Sequence, residues 1–320
     1  MSFISIVLIL VLEQFHAPSV ARIVRAPFLR LAQRVMAYFD DGKYEQGVAA
    51  WLLLAAVPSV AVLLLSFALY LSSSVWGFIL GLAVLYLTMG LRHFSNQFTA
   101  IQTALQFGEI ERARSLLATW RGRGGDRLTP TETAGHSIAR GLTDAHQHVF
   151  APIFWFALAG PAGALLYRLA QLLDESWGQP WKARSDAGVG RDTGRFGEFS
   201  RKAFLVIDWL PARLTAIAFA LMGDFEDAVN CWRTQLNQSA EGYQEVIVAS
   251  GAGALGLRIA VATTIPLGPG ADDTGAAEFG LGDDADSNGM QRAAAMVWRS
   301  LLLVLTVLAV SLLSSWRMFF

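Results

Sequence analysis

Apolar residues in this chain gather into runs long enough to cross a bilayer, separated by polar stretches of uneven length. A hydrocarbon core about 30 Å thick needs roughly 20 residues of helix, because lipid offers backbone amides no partner. Val48–Leu71 carries no charge and is the clearest span. Val75–Leu91 follows after only Ser72, Ser73 and Ser74, so residues 48–91 are expected to form a transmembrane helical hairpin. Val297–Trp316 is a third clear span, inside a C-terminal membrane helix at 290–320; Arg299 and Arg317 stand at its ends, where long side chains can reach the interface. Phe3–Phe15 makes a short N-terminal membrane segment, 1–15. With no basic residue before it and no small-residue cleavage site, it reads as a retained anchor.

Two further runs are interrupted. Val149–Leu173 is long enough to span, but Gly160-Pro161-Ala162-Gly163 sits at its middle and predicts a broken membrane segment over 149–173. Ala203–Met222 is a membrane helix containing Asp208, Pro211 and Arg213. Charges at that depth cost about 3 kcal/mol each unless they pair or face a polar cavity.

Basic residues give orientation. The loop at 16–47 holds Arg22, Arg25, Arg30, Arg34 and Lys43, and residues 92–148 hold seven arginines; both are expected in the cytosol. The loop at 174–202 is also polar and basic, with six Lys or Arg, although a full crossing by 149–173 would put it outside. A re-entrant hairpin turning at Gly160–Gly163 removes the conflict.

The expected fold class is therefore an all-α integral membrane protein, multi-pass in a bacterial inner membrane. It has about five or six membrane helices and a helical cytosolic domain at 92–148. In that domain Ile101, Ala104, Leu105, Ile110, Ala113, Leu116, Leu117 and Trp120 suit two helices meeting near Gly108. Gly108-Glu109-Ile110-Glu111-Arg112-Ala113 has a parallel in Gly223-Asp224-Phe225-Glu226-Asp227-Ala228, read as two similar helix starts rather than a true repeat. A helical region covers 223–265, and 266–289, rich in Asp, Glu, Gly and Ala, reads as an acidic flexible linker. Asp284-Ala285-Asp286-Ser287-Asn288-Gly289 matches half a calcium loop, but Ala295 stands where a bidentate Glu is needed, so calcium is disfavoured.

Composition narrows the function. Hydrophobic residues make up 54% and charged residues 16% of 320, with formal net charge −1, so no basic surplus suggests nucleic acid. The lone Cys231 excludes an internal disulfide and gives no sign of a thiol metal site. No phosphate-binding glycine loop or dinucleotide fingerprint occurs. Arg123, within Arg121-Gly122-Arg123-Gly124-Gly125-Asp126-Arg127, could contact a phosphate, though an exposed turn beside anionic lipid is preferred. Asp144, His146 and His148 are metal-ligand types, yet i and i+2 project from different helix faces, and a polar rim at the membrane boundary is preferred. Asp208 and Arg213 flank Pro211 and suit either a polar pocket or an ion pair closing a kink.

The chain resembles the CbiB/CobD family of membrane proteins and its AmpE relatives. The resemblance runs from about Thr99 to Met222, more loosely beyond. It rests on Ala104-Leu105-Gln106-Phe107-Gly108-Glu109 with Ala113-Arg114, on Phe150-Ala151-Pro152-Ile153-Phe154-Trp155, on Asp208-Trp209-Leu210-Pro211-Ala212-Arg213-Leu214, and on Gly253-Ala254-Leu255-Gly256-Leu257-Arg258. In CbiB it implies adenosylcobinamide-phosphate synthase activity: ATP- and magnesium-dependent amide formation between a corrinoid carboxylate and an aminopropanol derivative. Several family positions depart. Gly124-Gly125 replaces an Asp-Thr, Thr143-Asp144-Ala145-His146-Gln147-His148 replaces an Asn- and Asp-containing motif, Phe204 and Leu205 replace a pair of acids, and only Asp174 remains of an Asn-x-x-Asp at 171–174. The family's N-terminal Gly-Asp-Pro and His-Pro elements are missing, with Glu13 a remnant of the first acid. These losses, with Leu12-Glu13 and Val206-Ile207-Asp208, give an expected function closer to AmpE: a non-enzymatic sensory, regulatory or partner-binding protein. The alternative is the cobalamin-biosynthesis enzyme, with His146, His148 and Asp174 in place of the lost acids; a small transporter is a weaker third. Under the first reading an anionic small molecule sits where Asp174, Asp208, Arg213 and the Asp144–His148 stretch meet. Other expected partners are the lipid bilayer and a membrane or cytosolic protein. No catalytic residue or resident metal is assigned, and ATP and magnesium belong to the alternative only.

Overall fold

The computed structural model describes residues 5–10, 20–39, 43–121, 128–179, 195–238, 243–262 and 276–317. Helices dominate them: α1 (Val20–Phe39), α2 (Tyr44–Ser72), α3 (Ser74–Thr88), α4 (Leu91–Gln106), α5 (Ile110–Arg121), α6 (Pro130–Ala145), α7 (Ala151–Leu173), α8 (Phe196–Met222), α9 (Phe225–Gln238), α10 (Tyr243–Leu255) and α11 (Ser287–Arg317). Three short strands, β1 (Leu257–Ala262), β2 (Ala276–Phe279) and β3 (Asp283–Asp284), lie between α10 and α11. Among the described residues four helices are long and apolar enough to cross a membrane: Tyr44–Ser72, Pro130–Gly178, Phe196–Met222 and Ser287–Ser311; Ser74–Thr88 is apolar but shorter. The chain is an all-α integral membrane protein with one small sheet. Arg123 and most of the N-terminal segment lie outside the described residues.

The chain divides into two compact units. Unit 1 takes residues 1–90 and 151–210; unit 2 takes 91–150 and 211–320.

Among the described residues three segments of wide helical turn occur, at Leu52–Ala56, His146–Phe150 and Asp174–Gly178. A proline follows each by two residues: Pro58, Pro152 and, in sequence, Pro180. Proline has no amide to donate and its ring crowds the carbonyl four residues back. Those carbonyls belong to Leu54, His148 and Ser176, the central residue of each wide turn. Widening the helix at Leu54 and His148 relieves the clash with Pro58 and Pro152 and lets neighbouring amides bond around it.

In unit 1, α2 and α3 are separated by one extended residue, Ser73 (φ −166°, ψ 133°), whose hydroxyl accepts from the Val75 amide to cap α3. Helix α7 breaks at Gly160, where φ is +65° and ψ −154°, a conformation that Cβ-bearing residues avoid. Beyond it the chain folds back. A β-carbon at Gly163 would lie 2.5 Å from the Trp155 carbonyl oxygen and 2.7 Å from the Ala159 β-carbon. In an unbroken helix eight residues rise about 12 Å. Leu158 at the turn is 66% exposed, while Phe156 and Ala162 on the two limbs are buried.

Several expected loops are structured. Residues 20–39 of the expected 16–47 loop form α1, held by Trp177 Nε1 donating to the Ala32 carbonyl (3.3 Å) and by an Arg25–Glu175 ion pair. In 174–202, residues 174–179 continue the helix and α8 starts at Phe196, because the charges there are paired internally. In unit 2 the turn between α4 and α5 falls at Gly108, with Ile101, Ala104, Ala113, Leu117 and Trp120 buried. The expected helical region at 223–265 ends early: from Leu257 the alternating Leu-Arg-Ile-Ala-Val-Ala forms β1. The linker expectation fails over 276–289, since β2 pairs antiparallel and β3 parallel with β1. The acids of the half calcium loop are engaged elsewhere: Asp284 accepts from Arg258 (2.6 Å), and Asp286 Oδ1 caps α11 by accepting from the Gly289 amide (2.6 Å).

Gly163→Val is expected to lower the thermal unfolding midpoint in detergent markedly, whereas Ala157→Val, on the exposed limb, is expected to leave it nearly unchanged. Single cysteines introduced over 182–191 are expected to label only after the membrane is permeabilised. Cys231 makes a quiet background, since burial, helped by Asp227, pushes its thiol pKa up.

Candidate functional site

Unit 1 contains a ladder of buried polar pairs between α7 and α8. The Tyr167 hydroxyl donates to Asp208 Oδ1 at 2.9 Å. Arg201 Nη1 donates to Asp174 Oδ2 at 3.0 Å. Tyr167 to Asp174 is seven residues, and so is Arg201 to Asp208, so each helix presents its two polar groups two turns apart on one face. The pairs run in opposite chain directions, as antiparallel helices require. Between the rungs the Tyr167 and Phe204 rings meet at 5.7 Å, and Arg168 Nη1 donates to Gln171 Oε1 at 2.6 Å. Asp174, Tyr167 and Asp208 are 1% exposed or less, and Arg201 is 9% exposed. Gly178 presses against this site: a β-carbon there would collide with the Asp174 carboxylate and lie 3.0 Å from the Arg201 amide.

At the start of α8, buried Glu198 accepts from Arg195 Nε (2.6 Å) and Lys202 Nζ (2.7 Å). Both cations also stand over the Tyr44 ring, at 5.4 and 5.9 Å. Of the basic charge in 174–202, Arg195 and Lys202 form this surface cluster and Arg201 turns into the ladder.

Asp144, His146 and His148 belong to unit 2. Asp144 is 3% exposed: Trp120 Nε1 donates to Oδ2 (3.0 Å), and Arg140 lies 3.0 Å from Oδ1. His146, fully buried, holds Nδ1 2.9 Å from Thr215 Oγ1, whose single proton goes to the Pro211 carbonyl (3.0 Å). Nδ1 must then be the donor, which sets the ring's proton on that nitrogen. His148 Nδ1 lies 3.1 Å from the Asp144 carbonyl, so it too is a donor. The polar rim expected at 144–148 is instead an interior network, because the wide turn at His146–Phe150 points these side chains inward. Among the described residues no three His, Cys, Asp or Glu side chains gather as a metal set.

The sequence-expected residues thus fall into two groups. Asp174 and Asp208 belong to unit 1; Asp144, His146, His148 and, by its position in the chain, half-buried Arg213 belong to unit 2. Asp208 and Arg213 were expected to line a polar pocket or to close a kink as an ion pair; Asp208 Oδ1 accepts from the Tyr167 hydroxyl of α7. Sequence reasoning missed Tyr167, Arg201 and Glu198. The seven-residue spacings were the available signal.

The fold and this ladder define a polytopic helical membrane protein with a buried, ion-paired polar centre. A family profile described as CobD/Cbib protein matches residues 20–268, and the chain belongs to that family. The Cobalamin biosynthesis protein CobD of Stutzerimonas stutzeri (strain A1501) is 33% identical over 234 residues, which covers 72% of this chain and 73% of the relative. The protein of the same description from Chromobacterium violaceum is 33% identical over 181 residues, 57% of this chain and 55% of that one. A Probable cobalamin biosynthesis protein CobD from Thermoplasma volcanium is 29% identical over 195 residues, 58% and 59% of the two chains. The chain therefore spans just over half the length of the second and third. No solved structure matches it. The regulatory, AmpE-like expectation draws no support from these relatives, whose names point to cobalamin biosynthesis.

Removing one partner from a buried pair costs about 3–5 kcal/mol, because it strands the other charge. Asp174→Ala and Arg201→Ala are each expected to lower the unfolding midpoint strongly. The double variant is expected to lie above the sum of the two losses, so that the thermal-unfolding cycle gives a coupling energy of about 1–3 kcal/mol.

Proposed function

We propose that this protein acts in cobalamin biosynthesis at a bacterial inner membrane, in the ATP-dependent formation of an amide between a corrinoid carboxylate and an aminopropanol phosphate. The supporting observation is the family match over 20–268, whose range takes in all four residues of the ladder. The ladder supplies a phenol, a guanidinium and two carboxylates held in fixed register, groups able to orient polar substrate atoms. The described residues do not assemble a magnesium set of their own, so the ion fits this reading as a companion of the nucleotide phosphates. No step is assigned to it.

A binding or regulatory role without chemistry is the second reading. It rests on the resemblance, which implies family acids where this chain has Gly124, Phe204 and Leu205.

Turnover separates the two. Purified full-length chain supplied with corrinoid acid, aminopropanol phosphate, ATP and magnesium is expected to form the amide and release spent nucleotide. The same chain is expected to restore corrinoid synthesis in a strain lacking its own CobD. Asp208→Asn, which preserves shape and the tyrosine hydrogen bond, is expected to fold and to lose at least about tenfold in rate, the low end of what losing an orienting or proton-handling carboxylate costs. Corrinoid binding without any nucleotide turnover would replace the enzyme reading with the second one.

A further inference from the structure

Unit 2 contains a half-open cleft that the ladder does not use. Ser95, Phe98 and Thr99 of α4 form one side, Ile138, Gly141 and Leu142 of α6 the floor, and Ala294, Val297 and Trp298 of α11 the other side. Its volume is about 110 Å³ and its lining is mostly apolar. Helix α11 is one of the four apolar enough to cross a membrane, whereas α4 is not. Trp298, on the lip, is 43% exposed, and one turn further Leu302 is 62% exposed, followed by Val307 and Val310 at 59%. The cleft therefore opens beside the outward apolar stripe of the span. On leaving the apolar stretch toward the start of α11, exposed Arg299 is the first charge met, and Trp298 stands next to it. An aromatic ring and a basic residue side by side at the end of an apolar run mark the depth at which acyl chains meet phosphate headgroups.

We propose that this cleft holds the acyl chain of an anionic phospholipid, its headgroup phosphate engaged by Arg299. Three features select that occupant. Through Trp298 and Leu301 the cleft adjoins the outward apolar residues of a helix long and apolar enough to cross a membrane. The walls offer only the Ser95 and Thr99 hydroxyls as side-chain hydrogen-bonding groups apart from the Trp298 indole, too few to recognise a polar ligand. Arg299, adjacent in sequence to Trp298 of the lining, is positive and exposed. A chain lodged there would tie α4 to the membrane although α4 itself is too polar to insert.

The test uses full-length protein in vesicles containing a phosphatidylglycerol analogue with a diazirine on its acyl chain. After irradiation, peptides are mapped by mass spectrometry. Labelling is expected on α4 at Ser95–Thr99 as well as on α11 at Leu302 and Val307. Ala294→Phe fills the cleft and is expected to reduce labelling of α4 at least about fivefold while leaving Leu302 labelled. Thr99→Phe fills it from the opposite wall and serves if the first variant does not fold. Arg299→Ala is expected to lower labelling of α4 by the anionic probe about fivefold relative to a phosphatidylcholine analogue. Labelling confined to the outward residues of α11, or undiminished on α4 in a folded filling variant, would overturn the proposal.

Discussion

Polar groups buried among apolar helices have no water to fall back on, and in unit 1 this constraint is met by two rungs set seven residues apart on facing helices. Sliding α7 along α8 by one residue would separate Tyr167 from Asp208 and Asp174 from Arg201 together. The apolar contacts around them would tolerate such a slip; the rungs would not. Dispersion and burial bring the helices together, but the polar pairs select one register. The close approach of Gly178 to the Asp174 carboxylate fits the same logic, since a larger residue there would disturb the lower rung.

The interior polar groups of unit 2 follow a different scheme. The Ser250 hydroxyl donates to the Ala216 carbonyl (2.8 Å), and the Ser300 hydroxyl reaches the Ala218 carbonyl (3.2 Å), so α10 and α11 both attach to the last turns of α8 through backbone oxygen. The His146–Thr215–Pro211 relay ends on backbone oxygen too. Unit 1 binds its helices through charge, unit 2 chiefly through hydroxyls on carbonyls. Unit 1 sets its acid and base groups, Asp174, Arg201 and Asp208, in register on two facing helices, whereas those of unit 2, Asp144 with Arg140 and His146 with Thr215, form separate pairs.

Much of the fold was legible because apolar run length is a strong signal. Val48–Leu71, the serine break before Val75 and the C-terminal run all read directly as helix limits. The interruption at Gly160–Gly163 was legible too, since Gly and Pro act locally. The loops were harder. Residues 20–39 and 196–202 look like basic connectors until the partners of their charges are known, and Arg25 and Arg201 find those partners at Glu175 and Asp174, far away in sequence. The site was half legible. Asp174 and Asp208 stood out as charges in apolar surroundings, but attention to Arg213, five positions along the same helix, hid Arg201, seven positions back. Burial of the 144–148 stretch was invisible because it depends on a wide turn, and the sequence shows only the proline that causes it.

The fold-back at Gly160 has a consequence for parity. A helix that returns on itself contributes two passages through the apolar layer or none, never one. If both limbs meet the apolar layer from one side, the polar segments after residue 173 would lie on the face opposite to the one obtained by counting every apolar run as a crossing, and the inventory of hydrophobic stretches and the number of times the chain changes sides would become separate quantities.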